Sequence, residues 1–198
     1  MPSTQDIILI GAAYGIGSIP FGLLIVRLSR GVDLRQAGSG NIGSTNALRV
    51  AGKIPAALTV MGDVSKGCAA VWMGRAVEMD VATLAWVGFA VIAGHAFPFF
   101  LGFKGGKGVA TGFGVFLGIA PRIALTTLPI WLCGLYLSGY SSVGALAAAG
   151  ALPLLALLFG VEPAFIALSV AVSVLIYFRH MDNIRRLLKG VEKGISHH

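Results

Sequence analysis

Charged residues are scarce in this chain: 12% of its 198 residues are Asp, Glu, Lys or Arg, about half of the 25% typical of a soluble domain. So few charges cannot clothe a surface in water, and 56% apolar residues exclude a disordered tail. Cysteine is nearly absent as well. Cys68 and Cys133 both fall in apolar stretches, which excludes a disulfide framework and a paired-cysteine metal site. No metal-binding constellation is expected elsewhere. What the chain has instead is apolar length, a mean hydropathy of +0.85 and 28 glycines. Lipid is the solvent that suits these numbers, and glycine lets helices pack closely within it.

Ile7 to Val26 is twenty residues without a charge, enough to cross a bilayer core at about 1.5 Å per residue. No Lys or Arg precedes it and no small-residue cleavage site follows, so it reads as a retained helix rather than a signal peptide. Further apolar segments run from Ile54 to Gly74, Val81 to Phe103, Val109 to Ala120, Ile123 to Ser138, Val143 to Gly160 and Ala164 to Phe178. Either all seven cross, or six do and the short fourth is a re-entrant piece buried in protein. Lys and Arg collect on the cytoplasmic side. Seven spans put twelve of them on one side and two on the other, with Lys66 inside a span, whereas six spans split them eight against six. The expected fold is thus an all-α integral membrane protein of seven transmembrane helices, the fourth short, with the N-terminus outside and the C-terminus cytoplasmic. One domain covers residues 1–198, with a cytoplasmic amphipathic tail over 179–194. The formal charge of +7 is then topology, and no nucleic acid partner is invoked. His197 and His198 read as the remnant of a purification tag.

With seven spans, every unusual polar cluster falls on the cytoplasmic face. The first loop reads Gly38-Ser39-Gly40-Asn41-Ile42-Gly43-Ser44-Thr45-Asn46-Ala47-Leu48-Arg49. Its glycines match G-x-G-x-x-G, yet no strand precedes them and Asp63, twenty residues beyond Gly43, lies in an apolar segment. A dinucleotide site is therefore excluded. An anion cradle remains: glycines bare the backbone N–H groups, Ser44 or Thr45 caps a short helix, and Arg49 offers a planar fork to a phosphate. Phe103 to Gly108 carries Lys104 and Lys107 around Gly105 and Gly106, without Walker A spacing. His95 lies nearby, with Pro98 breaking the helix between them, and is either drawn to that turn or a hydrogen-bonded packing residue. Tyr140-Ser141-Ser142 reads more readily as a helix cap than as a ligand. In the tail, His180 and Asn183 share a helical face. Met181, Ile184, Leu187, Leu188 and Val191 form an apolar stripe, as in a helix lying in the headgroup layer; a plain stop-transfer tail is the alternative. Asp63 and Lys66, one turn apart within the second span, read first as a neutralising structural pair. Phosphate-sized pockets at a lipid edge point to an enzyme or carrier for phosphorylated, lipidic small molecules.

Four stretches spread over nearly the whole chain resemble, in order, the signature blocks of the PlsY family, the bacterial acyl-phosphate glycerol-3-phosphate acyltransferases. They are Gly17 to Gly22, Gly38 to Arg49, Gly94 to Pro98 with Phe103 to Thr111, and Arg179 to Ile184; members of the family vary around Ala37 and Ala47. The resemblance implies transfer of a fatty acyl group from acyl phosphate to the 1-hydroxyl of glycerol 3-phosphate, giving lysophosphatidic acid and phosphate at the inner membrane. It implies no cofactor; acyl phosphate, glycerol 3-phosphate and membrane lipids are the partners, and a monomer is expected. Ser39, Arg49, Lys107, His180, Asn183 and His95 become the catalytic candidates. Gly38, Gly40, Asn41, Thr45, Asn46, Lys104, Gly105, Gly106, Gly108, Ser141 and Ser142 become the substrate and phosphate binders. The cations and glycine N–H groups then offset two phosphates, and a backbone N–H or the Asn183 amide meets the oxyanion. His180, His95 or a substrate phosphate, whose second pKa is about 6, takes the proton. No His-acid pair stands beside Ser39 in sequence, so direct transfer is preferred to an acyl-Ser39 intermediate. The H-x4-D arrangement of thioester-dependent acyltransferases is lacking. A transporter of organophosphates, which predicts mid-membrane binding groups and an internal repeat, and a structural lipid-binding protein are the rival readings.

Overall fold

In the computed structural model, which describes residues 3–195, the secondary structure is entirely helical. His197 and His198 lie outside the described residues. Ten α-helices follow one another: α1 (Thr4–Gly17), α2 (Phe21–Arg30), α3 (Ser44–Ala51), α4 (Lys53–Ala76), α5 (Val81–Ala96), α6 (Val109–Ile119), α7 (Pro121–Ser138), α8 (Ser141–Leu158), α9 (Pro163–Arg179) and α10 (Met181–Leu188). Short 3-10 turns at Leu34–Gln36 and Phe99–Leu101 punctuate the two longest loops.

The expected first span is broken. Pro20 lacks an N–H and restricts Ile19 before it, so α1 ends at Gly17 and α2 starts afresh at Phe21. The third expected segment is cut short in the same way, because α5 stops at Ala96 ahead of Pro98 rather than running to Phe103. The tail is also shorter than a helix over 179–194: α10 closes at Leu188, Gly190 takes a left-handed φ of 68°, and Val191 leaves the helix. By length and composition Thr4–Arg30, Val81–Leu101 and Ser141–Leu158 can cross a membrane, and α9 with α10, bent by 56°, makes up to four. Asp63 and Lys66 interrupt the apolar run of α4, and α6 has only 11 residues.

Helices pack α4 on α6, α1 on α5, α7 on α8, and α9 on both α5 and α8. Glycine makes the closest crossings possible. A Cβ at Gly67 would overlap the Thr111 carbonyl, and one at Gly114 the Val64 carbonyl, so α4 and α6 meet backbone to backbone. The main core joins Val87, Val91 and Ile92 of α5 to Phe116 of α6, Leu152 of α8 and Val172 of α9. A second cluster, Leu23, Val26, Leu34, Ile42, Ala47 and Ala51, roots the first loop against α2 and α3. Large apolar side chains also cover the outside: Ile8, Trp72, Trp86, Leu137, Leu158 and Val174 are all exposed. An aqueous surface would penalise that distribution, and a lipid one accepts it.

Candidate active site

One cavity of about 830 Å³ opens at the end where α3, α6 and α8 begin. Its lining is polar toward that end and mostly apolar deeper in, where Asp63 and His95 are the charged or titratable exceptions. Ser39, Thr45, Arg49, Lys107, Ser141, Ser142, His180 and Asn183 surround one end. Ala57, Val60 and Val64 of α4, Phe113 and Phe116 of α6, Trp131 of α7, Leu152 of α8 and Val172 of α9 surround the other. Helices that start at the opposite end of the bundle manage their own N-termini. Ser3 and Asp6 form a capping box on α1, Asp80 accepts from the Ala82 and Thr83 N–H groups on α5, and α7 and α9 open on Pro121 and Pro163. At the cavity, by contrast, the N-cap residues are Gly43, Gly108 and Tyr140, and none of them makes a side-chain cap. Ser44 and Thr45 therefore sit in the first turn of α3 rather than capping it, and Ser141 and Ser142 sit in the first turn of α8. Three positive helix ends with free N–H groups thus face one space, the arrangement that attracts a phosphate.

Side chains complete that end. Lys107 Nζ donates to Asn183 Oδ1 at 2.6 Å. Burial lowers the Lys107 pKa to about 8; Glu192 counters this, while Arg186, Arg49 and Arg179 add to it. His180 donates from Nδ1 to the Ile176 carbonyl at 2.8 Å, which leaves its Nε2 as an acceptor. Burial and the Lys107 charge push its pKa down to about 4, so it is neutral at physiological pH. Thr45 and Ser141 hydroxyls lie 3.3 Å apart and tie the first loop to α8. Glu192, whose side chain is 5% exposed, accepts from Ser142 Oγ at 2.9 Å, from Asn183 Nδ2, and from Arg186 Nε at 2.6 Å. Burial raises its pKa, but these donors outweigh burial and keep it ionised. Beyond Glu192 the chain crosses the cavity rim, where the Lys193 and Gly194 carbonyls accept from Arg49 at 2.9 and 3.2 Å.

The model of the glycerol-3-phosphate acyltransferase family matches residues 7–190. The chain belongs to that family. Among curated glycerol-3-phosphate acyltransferases, that of Bordetella pertussis is 46% identical over 95% of this chain and 91% of its own length, and that of Carboxydothermus hydrogenoformans 42% identical over 93% of each. The fold matches crystal structures of PlsY (YgiH), an integral membrane glycerol 3-phosphate acyltransferase. Its glycerol 3-phosphate form gives a TM-score of 0.92 at 37% identity, covering 96% of this chain and 95% of that one. Its lysophosphatidic acid form gives 0.90 at 36% identity with the same coverage.

In this acyltransferase the site residues expected from sequence divide into three groups. Ser39, Asn41, Thr45, His95, Arg49, Lys107, Gly38, Gly108, Ser141, Ser142, His180 and Asn183 line the cavity. Asn46 lines it as well, but its polar atoms are spent inward. Oδ1 accepts from the Ser39 N–H at 2.8 Å and Nδ2 donates to the carbonyls of Leu34, Ala37 and Asn41, at 3.1, 3.0 and 2.8 Å. Through these bonds it braces the loop. Lys104 and Gly40 are exposed and lie off the cavity. Gly105 and Gly106 are buried beneath it, their N–H groups given to the Ala96 and His95 carbonyls at 3.2 and 3.0 Å, so neither N–H is free for an anion. Asn183 Oδ1 accepts from Lys107 and its Nδ2 donates to Glu192, which leaves the second Nδ2 hydrogen without a partner among the described residues. Glu192 is the residue that sequence reasoning missed. The single trace of it was an acid standing alone near the end of a cationic tail.

Proposed function

We propose that this acyltransferase moves a fatty acyl group from acyl phosphate to the 1-hydroxyl of glycerol 3-phosphate, releasing lysophosphatidic acid and inorganic phosphate. One observation carries the reading: a single cavity joins three free helix N-termini and the cations Arg49 and Lys107 to an apolar slot between α4, α6, α8 and α9. A phosphorylated headgroup and a hydrocarbon chain need those two environments side by side. That PlsY is described with glycerol 3-phosphate and with lysophosphatidic acid supports the acceptor and product.

In the proposed reaction the 1-hydroxyl oxygen attacks the acyl carbonyl carbon. The bond from that carbon to the phosphate oxygen then breaks, and the phosphate leaves with the electron pair. Arg49, Lys107 and the helix ends hold the two phosphates close despite their charge. N–H groups of the first turns of α6 and α8, uncapped and facing the cavity, take the oxyanion. His180 Nε2 accepts a hydrogen bond from the attacking hydroxyl and orients it. With a pKa of about 4 it holds a proton poorly, so the proton passes to the departing phosphate, whose second pKa is about 6. The protein acts as a monomer without a cofactor. It spans the inner membrane seven times, through α1 with α2, α4, α5, α6, α7, α8 and α9, with the N-terminus outside and the site on the cytoplasmic face.

The test is release of inorganic phosphate from acyl phosphate by the purified protein. Release that depends on glycerol 3-phosphate, and is abolished by Arg49→Ala, is expected. Phosphate release indifferent to glycerol 3-phosphate would refute the proposed transfer.

A further inference from the structure

In the wall of the same cavity, which Asp63 and His95 help to line, lies a charged cluster to which the transfer chemistry assigns no step. Lys66 Nζ on α4 is 2.8 Å from Asp63 Oδ1, 2.8 Å from His95 Nδ1 on α5 and 3.1 Å from the Ile19 carbonyl. The contact with Asp63 is an ion pair without hydrogen-bond alignment, and the other two are hydrogen bonds. An ammonium only donates, so His95 Nδ1 accepts and the ring proton sits on Nε2. Ile19 can offer its carbonyl sideways because the helix breaks before Pro20. Side-chain exposures of 2% for Lys66, 4% for Asp63 and 5% for His95 show how completely the group is enclosed.

Such a pair adds little stability by itself, because desolvation consumes what attraction returns, and apolar replacements of both partners are often neutral. A gain other than stability is needed to explain it. The His95 imidazole indicates which one. A Cβ on Gly106 would overlap the His95 ring at Nε2, so Gly106 packs against that corner of the imidazole, and its N–H donates to the His95 carbonyl at 3.0 Å. From the other side Arg179 holds the Gly105 and Gly106 carbonyls at 2.9 and 3.0 Å while its guanidinium stacks on Phe97, 5.1 Å from the ring centre. The next residue is Lys107. We infer that the buried Asp63 and Lys66 pair acts through His95 as a positioning device for the Lys107 turn, fixing where that ammonium meets the substrate phosphate. The inference rests on the reading of Lys107 as a phosphate-binding group.

Steady-state kinetics of the purified full chain test it, with Asp63→Asn/Lys66→Met, His95→Phe and Lys107→Met alone and combined. The double exchange removes both charges at nearly constant volume and leaves no lone ion buried. His95→Phe keeps an aromatic ring beside Gly106 and deletes the Nδ1 acceptor while the ion pair stays intact. Each should raise, by about tenfold, the KM of whichever phosphorylated substrate responds to Lys107→Met, with kcat within about threefold of wild type. Neither should add further loss in the Lys107→Met background, because all act through one ammonium. An unchanged KM, or losses that multiply in that background, overturns the inference. A fall in kcat alone also overturns it, by assigning His95 to proton transfer. If the double exchange does not fold, His95→Phe decides on its own. A wild-type protein without glycerol-3-phosphate-dependent turnover refutes the proposed function instead, and that result is read before any variant is compared.

Discussion

At the scale of single residues, Lys107 has the property most open to measurement. Its pKa of about 8 means that the free enzyme loses the ammonium as pH rises through 8. The protonated form is the one that holds phosphate, so kcat/KM should fall above that pH. Lys107→Arg, charged throughout, should move this limb upward by more than one pH unit; a limb that stays near 8 in the variant would assign it to another group. Asn46 makes a second case. Asn46→Ala strands the Ser39 N–H and three carbonyls at a site 1% exposed. A loss of about 2 to 3 kcal/mol is expected in denaturant titration, along with weaker binding because Ser39 and Arg49 flank the braced loop. The motif marked this asparagine as part of the site but not its role, since an amide serves a ligand and a carbonyl equally well. Glu192 was hidden for a related reason: its three donors come from α8 and α10, which meet it only after the chain turns back at Gly190.

At the scale of helices, the apolar runs located α4 to α9 to within a few residues, apart from the C-terminal end of α5. Counting apolar residues does not register a proline break, so the divisions at Pro20 and Pro98 were legible only as local chemistry. Nor could it show that α3, α6 and α8 start without side-chain caps and aim at one point, because that depends on how the helices are stacked. The stacking itself depends on small residues. Gly114→Ala sets a methyl against the Val64 carbonyl where α6 crosses α4. Overpacking of this kind costs about 1 to 3 kcal/mol, so a thermal shift in detergent should show Tm lowered by several degrees. No such drop is expected for Gly11→Ala on the exposed face of α1, where nothing lies near the would-be Cβ and the backbone is helical.

At the scale of the whole molecule, the prediction concerns sidedness. In a background of Cys68→Ala and Cys133→Ala, Glu78→Cys lies in the exposed turn between α4 and α5, and Lys104→Cys in the exposed loop before α6. A membrane-impermeant maleimide should label position 78 in intact cells and position 104 only after permeabilisation. Labelling at 104 in intact cells would place the cavity mouth on the wrong side for a cytoplasmic phosphate substrate. The charge tally that motivates this expectation belongs to loops, and loop charge is read from sequence without knowing any contact.

The amino-acid sequence alone determined the solvent, the all-helical class and the blocks that hold the chemistry, because burial in lipid demands long apolar segments and phosphate demands Arg, Lys and bare N–H groups. Only the tertiary structure decided which members of those blocks face the cavity. Lys104 and Lys107 are three residues apart, yet one reaches outward and the other is drawn inward to Asn183. Asp63 and Lys66 are one turn apart in α4, but their third partner is His95 on another helix. Chemical type is a property of a residue, whereas direction and partner arise from packing between segments far apart along the chain.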